Sequence, residues 1–207
     1  PVKLVDEVGV DAVRYALMRN LSFASDGDFS YTSLVRHYND ELGNDLGNLL
    51  NRVVSMLQRY RNGVIPTPGP ASASEEDLQR VAEETRFNAG TALENWDIGM
   101  ALSSTWAFVR RANQYIEQNE PWKLARQPDG EEHLNTVLYS AAEATRLLAI
   151  LLAPYIPSSC DRILAQLGLP ANSQGAWTRA GNWGSVPLTH VVLGPLLFPR
   201  IEAQSDV

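Results

Sequence analysis

The chain has 207 residues, of which 44% are hydrophobic, and a formal net charge of −7 at pH 7. This length suits one large domain, or one domain with a small appendage. The negative charge argues against a protein that coats nucleic acid through a broad positive surface, because affinity of that kind grows with the number of phosphates neutralised. Any contact with nucleic acid must therefore be local.

The sequence is typical of a protein located in the cytoplasm. Its longest uninterrupted apolar stretch, residues 147–153, is far shorter than the roughly 20 residues of a membrane span, and the first thirty residues lack a secretory signal layout. Cys160 is the single cysteine, which excludes an internal disulfide and fits a reducing compartment. We therefore expect a cytoplasmic protein with no membrane partner.

Helical spacing of apolar residues begins early in the chain. Residues 6–18 predict a short helix, and the turn-rich connector LSFASDGDFS that follows predicts a small α/β-like element with an extended segment at 28–30. Apolar residues then recur every three or four places from 32 to 60 without proline, which predicts one helix of about eight turns. Thr32 or Ser33 is expected to cap it.

A linker rich in proline and glycine, residues 63–74, separates this helix from the rest, with Ser74 as the expected N-cap of the next helix. Further helices are predicted at about 75–93, 97–120, 131–153 and 158–167, the second of these capped by Asp97 and closed by Pro121. The predicted fold class is all-α, a bundle of about five helices. Residues 172–207 lack a helical period and are expected to wrap back over the bundle as loops and a short strand. We therefore divide the chain into an N-terminal element (1–30), the bundle (31–170) and a C-terminal tail (171–207).

No catalytic or metal centre is recognised. The histidines His37, His133 and His190 lie in different predicted segments, and glycine-rich phosphate loops are missing. Cys160 shares a helical face with apolar residues, so we expect a small buried side chain. The acidic runs at 75–77 and 131–132 fall in first helical turns, where we expect solvated carboxylates that complement the helix dipole. Binding is therefore the better class of hypothesis.

A polar stripe flanks the core face of the long helix. On a wheel of 100° per residue, the apolar positions Leu42, Leu46, Val53 and Leu57 fall within about 80° of Leu49, and the polar flank falls on the other side of Leu49. The flank comprises Asp45, Asn48, Arg52, Ser55 and Arg59. Asn48 and Arg52 are four residues apart, so an amide and a guanidinium project side by side and suit a base edge. The alternative is that both are ordinary surface residues.

Trp122 is the second candidate for binding. It follows a proline that ends a predicted helix, and Lys123 and Arg126 stand close by in the segment EQNEPWKLARQ. An unpaired RNA base stacks on an exposed indole for roughly 1–3 kcal/mol, while nearby cations meet phosphates. The alternative is a tryptophan that caps the core beneath a turn.

Three segments in this order, VDAVRYALMRNLSFASDGDFS, NDLGNLLNR and NEPWKLAR, make most of the chain resemble the C-terminal half of methionyl-tRNA synthetases. The resemblance implies a stem-contact connector and a bundle that binds the anticodon loop of tRNA. By motif, Asn48 and Arg52 resemble the pair that hydrogen-bonds the cytosine of a CAU anticodon, and Trp122 resembles its stacking platform. Arg59, Lys123 and Arg126 have no motif match and are hypothetical phosphate contacts only.

The resemblance also implies a longer parent that joins methionine to tRNA using ATP with magnesium. The family's two nucleotide-binding signatures and its zinc-binding insert are missing from these 207 residues. We therefore expect no cofactor here, and we expect the parent's own catalytic domain and tRNA as partners. A monomeric parent is expected because no appended OB-type domain follows the bundle.

Two alternatives stay open. The first is the anticodon domain of another class I aminoacyl-tRNA synthetase, which would keep the bundle but change the reading residues. The second is a helical protein-interaction module whose partner contacts are Trp177, Trp183 and Phe198. An interaction module predicts a large exposed apolar patch, whereas the synthetase interpretation predicts that Trp122 lies near Asn48 and Arg52 at one end of the bundle.

Overall fold

A computed structural model describes residues 2–20, 30–171 and 182–202. The described ranges contain α-helices and one π-helical segment, without a β-strand, which confirms the all-α bundle. In chain order they are α1 (Val2–Val8), α2 (Val10–Asn20), α3 (Tyr31–Arg36), the π segment (His37–Gly47), α4 (Asn48–Arg61), α5 (Ala73–Glu94), α6 (Ile98–Asn119), α7 (Pro121–Leu124), α8 (Glu131–Leu152) and α9 (Pro157–Gln166).

The N-terminal element differs from its prediction. The single helix expected at 6–18 is two helices, because Gly9 has a φ of +84° that interrupts the α-helical backbone. Ser30 caps α3 by accepting a hydrogen bond from the Ser33 amide at 3.1 Å, so the expected cap at Thr32 or Ser33 is wrong. The connector and most of its expected extended segment, residues 21–29, lie outside the described ranges.

The long helix predicted at 32–60 runs from 31 to 61 but is not uniform. Its central eleven residues form the π segment, in which each residue turns the chain through a smaller angle than in an α-helix. The predicted core positions are nevertheless buried: Leu42, Leu46, Leu49, Val53 and Leu57. Gly43 and Gly47 face the tail, and a Cβ on Gly47 would lie 3.2 Å from the Leu42 carbonyl oxygen. Phe198 of the tail lies at ordinary contact distance from the Cβ positions of both glycines.

The N-terminus of α5 corrects two expectations. Ser72, not Ser74, is the N-cap, and it forms a capping box with Glu75. Glu75 is only 3% exposed and also accepts a hydrogen bond from the Tyr115 hydroxyl on α6, so it is not a solvated carboxylate. Burial opposes ionisation of Glu75, but its hydrogen bonds to Ser72 and Tyr115 prevail and lower the pKa of the carboxyl. Asp97 caps α6 as predicted.

Helix α8 lies at the centre of the bundle, with every residue from 136 to 153 buried. It packs against α4, α5, α6, α7 and α9. Its buried Glu143 and Arg146 pair at 2.7 Å and hold the start of the described tail: Glu143 accepts from the Ser185 amide, and Arg146 donates to the Asn182 carbonyl. The two buried charges are therefore hydrogen-bonded to each other and to the main chain of the tail, in place of water.

The tail wraps back over the bundle, as expected, but not with a strand in the described ranges. One antiparallel bridge joins Val64 to His190, and the amide of Ile65 donates to the Thr189 carbonyl at 2.9 Å. Further along, Phe198 packs edge-on against Tyr38 of the π segment with ring centres 5.7 Å apart. The tail therefore closes one side of the long helix.

Helix α2 is held to the bundle through Glu41 of the π segment. Tyr15 and Arg19 of α2 donate to its carboxylate, the latter at 3.1 Å, and His37 Nδ1 lies 3.2 Å away. Arg19 also donates to Ser103 of α6. Burial alone would raise the pKa of Glu41, but hydrogen bonds from His37, Arg19 and Tyr15 outweigh burial and lower that pKa to about 2. The carboxylate thus joins α2 to the π segment, and Arg19 extends the connection to α6.

The depressed pKa of Glu41 predicts a pH dependence of stability. Because the unfolded group titrates near 4.5 and the folded group near 2, the ionised carboxylate stabilises the fold above pH 4.5 and loses that contribution as the pH falls toward 2. We expect the free energy of unfolding, measured by urea titration, to fall less steeply over this window in Glu41→Gln than in the unaltered chain. Equal slopes would contradict the assignment.

Two glycines of positive φ predict different costs on substitution. Gly168 has a φ of +72°, and an added Cβ would stand 2.1 Å from the His190 carbonyl oxygen, whereas Gly184, with a φ of +85°, has open space around it. Gly184→Ala should therefore lose only the left-handed conformational cost, about 1–2 kcal/mol. Gly168→Ala should lose roughly 1–3 kcal/mol more by overpacking, as read from thermal unfolding. An equal loss in both variants would show that the tail does not pack tightly at Gly168.

Candidate functional site

Asn48 and Arg52 lie one turn apart at the start of α4. Asn48 is exposed and Arg52 is partly exposed, whereas their neighbours Leu49 and Val53 are fully buried. Four residues of α-helix advance about 6 Å, so the amide and the guanidinium project from the same flank. The helical wheel applies to this part of the long helix because the backbone is α-helical from residue 48 onward.

Asp45 departs from the predicted polar stripe. It lies in the π segment and is only partly exposed, because its carboxylate accepts a hydrogen bond from Nε1 of the buried Trp106 at 3.1 Å. Burial raises the pKa of the Asp45 carboxyl despite this hydrogen bond. Asp45 therefore belongs to the contact between the long helix and α6 rather than to the open surface.

Arg52 contacts the far end of α6. Its Nη1 lies 3.4 Å from Oε1 of Glu117, and the Glu117 side chain is 66% exposed. An exposed ion pair of this length contributes little, roughly 0–1 kcal/mol. The ion pair orients the guanidinium but holds it only weakly. Arg52 can therefore exchange Glu117 for another hydrogen-bond acceptor at a small cost in free energy.

Trp122 stands at a corner, as predicted. Glu120 has a φ of +44° and ends α6, and the short α7 then carries Trp122 between buried Pro121 and half-buried Leu124. The indole is 37% exposed. Pro121 and Leu124 thus hold the backbone at the corner, while part of the Trp122 ring stays open to solvent.

The ion pair between Arg52 and Glu117 relates Trp122 to α4. Glu117 precedes Trp122 by five residues and lies in the last turn of α6, so Arg52 contacts the same end of α6 from which the corner departs. Trp96 is 75% exposed and lies just before the N-terminus of α6. The two ends of this 22-residue helix are about 33 Å apart. Arg52 and Trp122 are therefore both associated with the C-terminal end of α6, and Trp96 with its N-terminal end.

The three cations suggested as phosphate contacts are exposed but differ in their surroundings. Arg59 lies over the ring of its neighbour Tyr60, with its guanidinium carbon 5.6 Å from the ring centre. Lys123 pairs with Glu120 at 2.8 Å, and Arg126 follows α7. Lys123 and Arg126 accompany the Trp122 corner, whereas Arg59 lies two turns beyond Arg52.

A cleft of about 140 Å³ lies beside Asn48, between the π segment and the tail. Gly43 and Gly47 form part of its lining on one side, and Phe198 and Arg200 on the other. Asn48 therefore stands at the junction between the α6 side and the tail side of the long helix.

Two further features bear on metal and thiol chemistry. Within the described ranges, no group of three or more histidine, cysteine or acidic side chains could hold a metal ion, and no helix there is long and apolar enough to cross a bilayer. Cys160 is fully buried, as predicted, and burial raises the pKa of its thiol. A thiol in such a position is a poor nucleophile.

Of the three residues suggested as contacts of an interaction module, the two that the structure describes pack against the bundle. Phe198 is 8% exposed and Trp183 packs against the core, while Trp177 lies outside the described ranges. The described part of the tail, residues 182–202, exposes the aliphatic side chains of Leu188, Val192, Leu193 and Leu196. The observed aromatic packing is that of a tail tucked against the bundle.

Two family models match the chain. The first, described as tRNA synthetases class I (M), matches residues 1–54, and the second, described as the anticodon binding domain of methionyl tRNA ligase, matches residues 65–204. Asn48 and Arg52 fall within the first match and Trp122 within the second. The candidate site therefore draws on both matched regions.

Curated relatives agree with this division. The chain is 39% identical over its whole length to methionine--tRNA ligase of Bacillus subtilis, and it covers 31% of that protein. It is 40% identical over its whole length to the methionine--tRNA ligase of Deinococcus radiodurans and covers 30% of it. The chain thus spans about a third of the length of these relatives.

Solved structures show the same fold. The free state of methionyl-tRNA synthetase from Mycobacterium tuberculosis superposes with a TM-score of 0.87 at 30% sequence identity, over 98% of this chain and 41% of that one. The same enzyme in complex with methionyl-adenylate also gives 0.87 at 30% identity, over 97% and 39% of the two chains. Since the second family model covers more than half of the sequence, the chain belongs to the family of anticodon-binding domains of methionyl tRNA ligase.

Proposed function

We propose that this chain reads the CAU anticodon of methionine-specific tRNA, with Asn48, Arg52 and Trp122 around the cytosine. The observation that carries the proposal is the contact of Arg52 with the end of α6, which associates the Asn48–Arg52 pair with the Trp122 corner. Family membership supplies the class of ligand. Loop bases offer their Watson–Crick edges to side chains, unlike bases within an A-form helix.

The two polar side chains complement cytosine. An amide offers a donor and an acceptor, and a guanidinium offers several donors in a fixed plane, so together they match the mixed edge of this base. Arg52 is already oriented by Glu117 and loses little when it leaves that weakly held partner. A uracil at the same position would mispair with one of the groups, at a cost of about 1–3 kcal/mol by analogy with base-edge contacts.

The indole of Trp122 supplies affinity that depends little on base identity. Stacking of a base on an exposed aromatic ring contributes roughly 1–3 kcal/mol. Because Pro121 and Leu124 pack on either side of Trp122, the backbone that carries the ring loses little freedom on binding.

Net charge does not oppose this function, because the cations that matter are few and close to the corner. Lys123 and Arg126 lie within four residues of Trp122. Lys123 is paired with Glu120, so a phosphate must compete with that carboxylate for the ammonium group. The affinity of the isolated chain for RNA should accordingly be modest, with specificity supplied by base contacts.

The parent activity that we propose is the ligation of methionine to tRNA with ATP and magnesium, in a cytoplasmic enzyme that acts as a monomer. The solved relative bound to methionyl-adenylate supports methionine and ATP as the parent's substrates. The partner of this chain within the parent is the catalytic domain. Another class I synthetase is the less favoured alternative, because the chain belongs to the methionyl family.

The proposal predicts how the chain discriminates between two hairpins. At fixed salt, it should bind a CAU anticodon stem-loop more tightly than the same hairpin with UAU, as measured by fluorescence anisotropy. Trp122→Ala should weaken binding of the CAU hairpin by roughly 5- to 150-fold, which corresponds to the removal of one stacking interaction.

Trp96→Ala is the matched control for Trp122→Ala. It removes a more exposed indole at the opposite end of α6 and should leave both affinities unchanged. Equal binding of the CAU and UAU hairpins by the unaltered chain, together with no effect of Trp122→Ala, would contradict the proposed function.

Phosphate contacts predict a change in salt dependence rather than in base preference. Charge reversal at Arg126 should weaken CAU and UAU hairpins equally and lower the slope of log affinity against log salt by about 0.7 for each phosphate that the side chain no longer neutralises. The same measurement on Arg59→Glu tests whether phosphate contacts extend along α4 beyond Arg52. On Lys123→Glu it tests for a phosphate contact at the Trp122 corner. A reversal that leaves affinity and slope unaltered removes that residue from the interface.

A further inference from the structure

The junction between the π segment and α4 lies immediately before Asn48. The Asn48 main-chain amide donates to the carbonyl oxygen of Gly43, five residues back as in a π-helix, and to that of Asp45, three residues back as in a 3₁₀ turn. Because a π-helix turns through a smaller angle per residue, the point where it gives way to α-helix sets the direction in which the following side chains project. The direction of Asn48 and Arg52 therefore depends on where this junction is held.

Two side chains of α6 hold the junction, and both act on Asp45. Trp106 Nε1 donates to the Asp45 carboxylate at 3.1 Å, and the Asn113 side-chain amide donates to the Asp45 main-chain carbonyl at 3.0 Å. Asn113 also donates to the Val109 carbonyl of its own helix at 3.2 Å, which fixes its orientation. Trp106 and Asn113 are seven residues apart and so share a face of α6.

The same helix carries the partner of Arg52. Glu117 lies one turn beyond Asn113 on α6, and its carboxylate contacts the Arg52 guanidinium. The long helix is thus held by α6 on both sides of Asn48, three residues before it through Asp45 and four residues after it through Arg52. The contact at Arg52 is exposed and weak, whereas Trp106 is fully buried.

We propose that Asn113 and Trp106 are positioning residues which, through Asp45, set the rotation of Asn48 and Arg52 toward the anticodon base. They do not touch RNA themselves. This inference rests on the proposed function. It predicts that removing the hydrogen bonds to Asp45 reduces discrimination between cytosine and uracil, because discrimination needs accurate placement of the two donors, while stacking on Trp122 tolerates either base.

The test compares the ratio of CAU to UAU hairpin affinities in Asn113→Ala and in the unaltered 207-residue chain. We expect the ratio to fall by roughly three- to tenfold, the range that one ordinary hydrogen bond commands. Asp45→Ala, which removes the acceptor of the Trp106 hydrogen bond, should reduce the ratio in the same direction. Asp45→Asn retains an oxygen acceptor for Trp106 and should preserve the ratio.

Gln58→Ala is the matched control. Gln58 lies on α4 and donates its side-chain amide to the Val191 carbonyl at 2.8 Å, so its removal costs the same kind of hydrogen bond away from the junction. It should lower the melting temperature but keep the hairpin ratio. A similar fall of the ratio in Gln58→Ala would show that any loss of stability disturbs the site, and would overturn the positioning role.

The outcomes separate the inference from the function on which it rests. If the unaltered chain does not distinguish the two hairpins, the proposed function fails. If it does distinguish them, and the folded Asn113→Ala and Asp45→Ala variants retain the full ratio, the positioning role alone is wrong.

Discussion

Two contacts between α6 and the long helix, at Asp45 and at Arg52, join the parts of the candidate site. The first contact is partly buried and directional, with an indole and an amide that both donate to one residue. The second is an exposed ion pair that leaves the Arg52 guanidinium able to change partners. Helix α6 then ends at the corner that carries Trp122. One helix therefore supplies both the support for the polar pair and the base of the aromatic platform.

The rest of the fold keeps these two helices in place. Helix α8 fills the centre of the bundle, and Glu41 joins α2 to the long helix and, through Arg19, to α6. The tail closes the opposite flank of the π segment, where Phe198 lies beside Gly43 and Gly47. A π-helix of eleven residues is rare, because π-helical hydrogen bonding is mostly confined to single turns. Contacts with the surrounding segments must therefore stabilise it.

The sequence predicted the features that repeat and missed those that depend on a single tertiary contact. Apolar spacing located the bundle helices and the buried positions of α4, because a helix buries one stripe whatever its neighbours are. It did not reveal the π segment, since Leu42 and Leu46 fit an α-helical wheel and are buried in either geometry. The position of Ser74 before acidic residues predicts a cap there, whereas the Ser72 hydroxyl is the one that meets the free amides.

The candidate site divides in the same way. Family motifs point to Asn48, Arg52 and Trp122, and the exposure of Trp122 follows from the proline that places it at a corner. The roles of Glu117 and Asn113 could not be predicted, because they depend on how α6 lies along the long helix, and no local pattern encodes that register. The burial of Glu75 was missed for the same reason, since its partner Tyr115 is forty residues away.

The most direct measurement is an NMR titration that follows the indole N–H signals of the five tryptophans with the CAU hairpin and with the UAU hairpin. Cytosine recognition at this site predicts that the Trp122 signal shifts with both hairpins, and that the side-chain amide signals of Asn48 shift strongly with CAU and weakly with UAU. The signals of Trp96 and Trp106 should stay nearly constant. Shifts concentrated at Trp96, or identical shifts of the Asn48 amide with both hairpins, would contradict cytosine recognition at this site.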